Sequence, residues 1–252
     1  QLEAVDIDTP FEFYSAELLY NNNIRNIEDI NKKMSKKKIN ESEVKLLDCT
    51  VRDGGYLNNW NFTDEEVIDM YKTVTESGFE YFEIGFRTNK RKLTKKGKWC
   101  YSSEDDINNI VKKYKGCKIA VMAKLGTVNV KNFVKKEKSN IDLVRVLVPH
   151  NDKNRVSIID DKLINECYTL CTGLLKLGYK ICLNFACFNH VTDIELEKVM
   201  TKLKDVKLEY IYIADTYGNL DENNIEFQLE RLYKYNIPIG LHLHNFRNDA
   251  LF

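Results

Sequence analysis

From Val44 onward, short apolar runs alternate with amphipathic stretches, the beat of repeated βα units around a parallel sheet. The expected strands are Val44–Thr50, Tyr81–Phe86, Lys118–Leu125, Leu143–Val148, Tyr179–Phe185, Tyr210–Ala214 and Ile237–His242. Each is rich in Ile, Val, Leu, Tyr or Phe and short enough for a strand buried on both faces. Expected helices fill the gaps at Thr63–Ser77, Ser103–Tyr114, Asp160–Leu177, Asp193–Lys204 and Glu222–Tyr235. In the first of these, Thr63 and Glu66 spell a capping box, and Ser77-Gly78 supplies the stop. Val67, Met70, Tyr71 and Val74 follow at i, i+3, i+4, i+7, so one apolar face can lie against the sheet. Seven strands in this rhythm predict an α/β fold, a (β/α)8 TIM barrel incomplete at its C-terminus by one unit. An open doubly wound sheet has the same beat, but no GxGxxG follows the first strand, which shifts weight to the barrel.

Before Val44 the pattern changes. Apolar content is confined to Phe11–Leu19, and the tract from Asn21 to Glu43, with Lys32, Lys33, Lys36, Lys37 and Lys38, reads as a linker or solvated helix. The expected division is residues 1–20, a linker at 21–43, and the barrel at 44–252.

Composition narrows the class further. The 252 residues are 43% hydrophobic and 30% charged, and Lys plus Arg equal Asp plus Glu at 38 each. No global field therefore draws the chain to nucleic acid or an anionic membrane, and no apolar run approaches the ~20 residues of a membrane span. The 7 cysteines are an odd set, several inside apolar runs, and Cys167 and Cys171 have helical rather than CxxC spacing. They read as reduced packing residues of a cytoplasmic protein. The first residue is Gln, which reads as an excerpt of a longer polypeptide.

The densest polar cluster is Asp48-Cys-Thr-Val-Arg52-Asp53-Gly54-Gly55-Tyr56, where the first strand ends. Strand C-termini converge on the active face of a parallel barrel. Asp53 can offer a hard oxygen to a divalent cation, and Arg52 can fork onto a carboxylate or steady an enolate oxygen. At the end of the seventh strand, His242 and His244 share a face, so both imidazoles can meet one cation. Two His and one carboxylate leave positions open for substrate, as a Lewis-acid catalyst requires. Asp215 and Thr216, closing the sixth strand, could hydrogen-bond an imidazole or a substrate hydroxyl, or simply form a capping turn. Glu83 and Arg87 flank Gly85 at the second strand's end, where Arg87 could clamp an anion.

These pieces, Thr50-Val-Arg52-Asp53-Gly54, Glu83-Ile-Gly85-Phe86, Asp215-Thr-Tyr-Gly218 and His242-Leu-His244-Asn245, resemble the metal-dependent lyase and aldolase superfamily. That superfamily includes hydroxymethylglutaryl-CoA lyase, 4-hydroxy-2-oxovalerate aldolase and isopropylmalate synthase. Leu47–Phe62 is similar to a group of bacterial aldolase-domain proteins associated with surface-sugar biosynthesis. The resemblance implies Mg²⁺ or Mn²⁺ on Asp53, His242 and His244, Arg52 stabilising a pyruvate-type enolate, and Asn245 assisting at the substrate. The implied partner is a small 2-oxo acid, with no nucleic acid or membrane, and homo-oligomerisation is left open. One departure stands out: the oxovalerate aldolases carry a general-base His where this chain has Tyr56, and a phenol (pKa near ~10) is a poor base at neutral pH. The segment Val5-Asp6-Ile-Asp8-Thr-Pro10-Phe-Glu12-Phe resembles the closing motif of acylneuraminate-type cytidylyltransferases, which implies residues 1–20 are the tail of a fused nucleotidyltransferase holding Mg²⁺ through Asp6 and Asp8.

The leading expectation is a divalent-metal-dependent carbon–carbon lyase or aldolase acting on a 2-oxo acid. Its alternatives are a condensing acyltransferase of the isopropylmalate synthase type, a Schiff-base enzyme using Lys124, and a non-catalytic sugar- or nucleotide-binding barrel. Arg145 and Asn184 can line the barrel mouth under any of these.

Overall fold

The computed structural model describes residues 2–7, 44–88, 95–151, 156, 157 and 159–244. The chain runs β1 (Leu2–Ile7), β2 (Lys45–Asp48), two helical turns α1 (Thr50–Asp53) and α2 (Gly55–Asn58), α3 (Asp64–Glu76), β3 (Tyr81–Phe86), α4 (Glu104–Lys113), β4 (Lys118–Lys124) and β5 (Ile141–Val148). A two-stranded hairpin, β6 (His150–Asn151) and β7 (Val156–Ser157), precedes α5 (Asp161–Lys176), β8 (Lys180–Phe185), α6 (Asp193–Lys202), β9 (Tyr210–Asp215), α7 (Glu222–Tyr233) and β10 (Ile239–Leu243). All seven expected repeat strands are present. They form one parallel sheet in the order β10-β9-β8-β5-β4-β3-β2, and β1 pairs with both β10 and β2 to close it into a barrel. Among the described residues the eighth place in the sheet, between β10 and β2, is taken by Leu2–Ile7.

This position bears on the N-terminal expectation. Leu2–Ile7 lies within the barrel sheet, with Asp6 in register with Leu47, so the likeness to a cytidylyltransferase tail finds no support. Asp8 and residues 9–43 lie outside the described residues.

The helices form where the sequence signals them. Thr63 caps α3 through its side chain and receives Glu66 in return, and Ser103 and Thr192 build the same reciprocal box for α4 and α6. Val67, Ile68, Tyr71 and Val74 are the buried face of α3. They join Phe82 and Ile84 of β3 in the main core between helices and sheet. A second, smaller cluster, Leu47, Cys49, Tyr81, Ala120, Leu143, Cys182, Tyr210 and Tyr212, comes from alternate strand positions and fills the lumen. All seven cysteines are free. No helix among the described residues is long and apolar enough to cross a membrane.

Two local features aim the active face. Asp48 accepts the Thr50 N–H at 3.1 Å and the Thr50 hydroxyl at 2.8 Å. This ends β2 two residues earlier than expected and turns the chain into α1, which carries Arg52 and Asp53. In β3, Glu83 pairs with Ala120 and Phe86 with Met122, so one extra residue bulges at Gly85. There φ is +153°, and an added Cβ would stand 2.0 Å from the Trp99 carbonyl oxygen and 2.3 Å from Ser102 Oγ. A Gly85→Ala protein is therefore expected to lose about 3 kcal/mol of stability by overpacking against backbone. Thermal unfolding should show it as a midpoint lowered by roughly 6–12 °C, and an unshifted midpoint would refute the account.

Candidate metal centre

α1 and the end of β10 bring Asp53, His242 and His244 together, one ligand atom from each lying within 4.8 Å of the others. His244 Nε2 is 3.2 Å and His242 Nε2 3.5 Å from Asp53 Oδ2, and the two Nε2 atoms are 3.1 Å apart. Donors that share an ion at about 2.1 Å in adjacent coordination positions sit about 3 Å from one another, so the spacing suits one small divalent cation.

The chemistry of the donors agrees. His244 Nδ1 lies 3.1 Å from the Thr216 carbonyl oxygen. A carbonyl only accepts, so in the neutral ring Nδ1 carries the hydrogen and Nε2 keeps the lone pair a metal needs. Burial alone would raise the Asp53 carboxyl. The Arg52 guanidinium and the two imidazoles beside it outweigh it and hold Asp53 well below the usual carboxylate range. The site thus presents one anion and two imidazoles on a single face, the set that leaves further coordination positions open.

Behind this face lies a buried charge chain. Arg52 donates through Nη1 to Asp53 Oδ1 and through Nε to Glu83 Oε2 at 2.7 Å. The same Glu83 oxygen receives Arg145 Nη1 at 2.8 Å, and Arg145 Nη2 reaches Asn184 Oδ1 at 3.0 Å. Arg145 stands over the Tyr212 ring at 4.2 Å. β4 separates β3 from β5, and β8 separates β5 from β9, so these contacts run through the lumen. Arg52 is fixed from outside as well: Trp60 Nε1 donates to its carbonyl at 2.7 Å. Trp60 lies so close over Gly55 that a Cβ there would be 2.2 Å from its ring.

The other expected site residues are placed differently. Tyr56, in α2, is 60% exposed, with its ring edge-on to Trp60 and Phe86 at 4.7 and 6.3 Å. Thr216 serves His244 through its carbonyl, while its hydroxyl accepts the Cys187 N–H at 2.9 Å. Asp215 accepts the N–H groups of Asn219 and Leu220 at 2.9 and 3.1 Å, the turn-forming alternative. Arg87 donates to the carbonyls of Ser102 and Asn132 and pairs with Glu104 at 3.1 Å. Its guanidinium ties the segments after β3 and β4 together instead of standing ready as an anion clamp. Lys124 ends β4, and Asn245 lies outside the described residues.

Sequence reasoning left Arg145 and Asn184 without roles and passed over Trp60. A signal existed for Arg145: a charge inside the otherwise apolar run Ile141–Val148 must be paired if the strand is buried. The use of Thr216 through its main chain had no signal.

Known proteins share this arrangement of elements. A family profile described as HMGL-like matches residues 43–251. A 4-hydroxy-2-oxovalerate aldolase of Bacillus cereus (strain ATCC 10987 / NRS 248) is 26% identical over 208 residues, covering 81% of this chain and 58% of that protein. The chain thus spans little more than half the length of this curated relative. Among solved structures, the N-terminal domain of a candidate aldolase from Bacteroides vulgatus superposes with a TM-score of 0.62 at 23% identity, over 80% of this chain and 64% of that one. The HMG-CoA lyase from Brucella melitensis gives 0.58 at 14% identity, over 82% and 74%. At these identities the two structures establish the fold.

Proposed function

Because the chain belongs to the HMGL-like family, we propose that it is a divalent-metal-dependent carbon–carbon lyase or aldolase whose substrate is a 2-oxo acid. The observation that carries the reading is the meeting of Asp53, His242 and His244 within 4.8 Å at one end of the barrel. The aldolase that this chain resembles is named for an oxo acid, which supports the substrate class. Mg²⁺ or Mn²⁺ held there would polarise the keto oxygen and lower the energy of the enolate left when the adjacent carbon–carbon bond breaks.

The remaining work falls to the protein's own groups. Arg52, buried and fixed on Asp53 and Glu83, holds positive charge beside the place where negative charge develops. The Thr216 carbonyl keeps His244 in the tautomer that leaves Nε2 unprotonated. Glu83 orients Arg52 in this reading, and Asp215 holds the turn that presents Thr216. Tyr56, just beyond Asp53 along the chain and exposed, is assigned hydrogen-bond donation to a hydroxyl or carbonyl oxygen of the substrate, because a phenol donates more readily than it accepts at neutral pH.

Proton exchange tests this reading before the natural substrate is known. With pyruvate in D₂O and added Mn²⁺ or Mg²⁺, the methyl proton signal should decay in the presence of the protein and persist when the cation is withheld. A companion screen of 4-hydroxy-2-oxo acids should reveal a cleaved member. No exchange and no cleavage with either cation would overturn the assignment in favour of a non-catalytic barrel.

A further inference from the structure

Arg145 has no part in the chemistry above, yet it is the largest charged group sealed in the lumen, with 0% of its surface exposed. Its fork serves two strands at once, Nη1 to Glu83 on β3 and Nη2 to Asn184 on β8, and its plane rests on Tyr212 from β9. Only a planar, multi-donor cation satisfies both acceptors while stacking on a ring.

The charges alternate along this chain toward the candidate cation site: Arg145, Glu83, Arg52, Asp53. Glu83 Oε2 is shared between the two guanidinium groups, and Glu83 is itself fully buried. Without Arg145, two carboxylates, Glu83 and Asp53, would draw on the single charge of Arg52. An arriving 2-oxo acid would then meet a site one unit more negative, in surroundings that screen charge poorly. With Arg145 present, the charge of Glu83 is offset from inside the barrel, and Arg52 stays turned toward Asp53.

We infer that Arg145 is a positioning residue: by offsetting and fixing Glu83 from within the lumen, it leaves the charge of Arg52 available to an anionic 2-oxo acid. The inference rests on the metal-dependent reading above, and its test separates the two. In the full chain, Mn²⁺ binding is measured first. Oxalate, a planar dianion shaped like the enolate of pyruvate, is then titrated into the Mn²⁺-loaded protein.

Arg145→Gln should bind Mn²⁺ at least as tightly as the unsubstituted protein, since the site gains negative charge, and lose oxalate affinity by about tenfold or more. Arg145→Lys, which keeps the charge and gives up the fork, should fall between them. The double variant Arg145→Gln/Glu83→Gln removes the uncompensated carboxylate and should bind oxalate more tightly than Arg145→Gln alone, a rescue that a merely structural role would not produce. If Arg145→Gln does not fold while the double variant does, the charge-offset account is equally supported. Oxalate affinity in Arg145→Gln within about twofold of the unsubstituted protein, a double variant no tighter than the single, or failure of both to fold would each overturn it. An unsubstituted protein that takes up no Mn²⁺ would sink the metal-dependent reading and this inference with it, whereas normal Mn²⁺ uptake with unchanged oxalate affinity sinks the inference alone.

Discussion

An Asp53→Asn protein is expected to lose Mn²⁺ binding and to turn over 2-oxo acids more slowly by on the order of 10³-fold. Asn keeps the size of the side chain, so the change isolates the anion. Asp53 Oδ2 lies closest to the two imidazole nitrogens, at 3.2 and 3.5 Å, and is the only formal negative charge of the donor set. Removing it leaves two neutral rings beside the Arg52 guanidinium, an arrangement that repels a divalent cation. Dialysis against a chelator should reproduce the loss in the unsubstituted protein, and Mn²⁺ should restore it there but not in the variant. Turnover of Asp53→Asn within about twofold of the unsubstituted protein would refute the metal assignment.

The acid side follows from the same charge. Asp53 is held well below the ordinary carboxylate range in the fold, so its contribution to stability is present above the unfolded value, ~3.9, and lost as pH falls through the lowered one. The carboxylate is therefore an anion at neutral pH. Cation binding should weaken on acidification, since protons compete with the cation for its ligands, and a Mn²⁺ titration repeated at falling pH checks this.

The second large effect is expected at Arg52. Arg52→Met withdraws one of the two guanidinium partners of a fully buried Glu83, and the guanidinium partner of Asp53, whose side chain is only 14% exposed. Breaking a buried pair by deleting one member costs roughly 3–5 kcal/mol, so denaturant unfolding should show a clear drop in stability. Arg52→Lys keeps the charge and should remain folded. It cannot serve Asp53 and Glu83 with two directed donors, so turnover should fall by roughly 10²-fold with Mn²⁺ affinity largely retained. A Lys variant as active as the unsubstituted protein would show that charge alone suffices and that the fork geometry is idle.

Most elements were legible because they are written in local periodicity. The capping box of Thr63 and, in the stripe of α3, Val67, Tyr71 and Val74 stand where spacing predicts them, while Ile68 is buried in addition and Met70 is half-buried. Boundaries moved where a side chain competed with the ladder. β2 stops at Asp48, not Thr50, because the Asp48 carboxylate captures the N–H and hydroxyl of Thr50. Asp53, His242 and His244 were readable as a set because each sits at a strand end or just beyond it, and strand ends share a face in a parallel barrel. Arg87 and Asp215 were readable as polar groups at strand ends, but their partners were not. Arg87 finds carbonyls 15 and 45 residues away, and no spacing rule reaches that far.

The sequence by itself determined the βα rhythm, the identity of the strands and the donor atoms at their ends, since these depend on side-chain alternation and on chemistry carried by each residue. Only the tertiary structure decided that Leu2–Ile7 completes the ring, that Glu83 and Arg145 meet across β4, and that Thr216 orients His244 through its backbone. Those facts arise from curvature and closure of the sheet, which set distances between residues far apart in the chain, and a main-chain carbonyl is the same in every residue type until a fold gives it a direction.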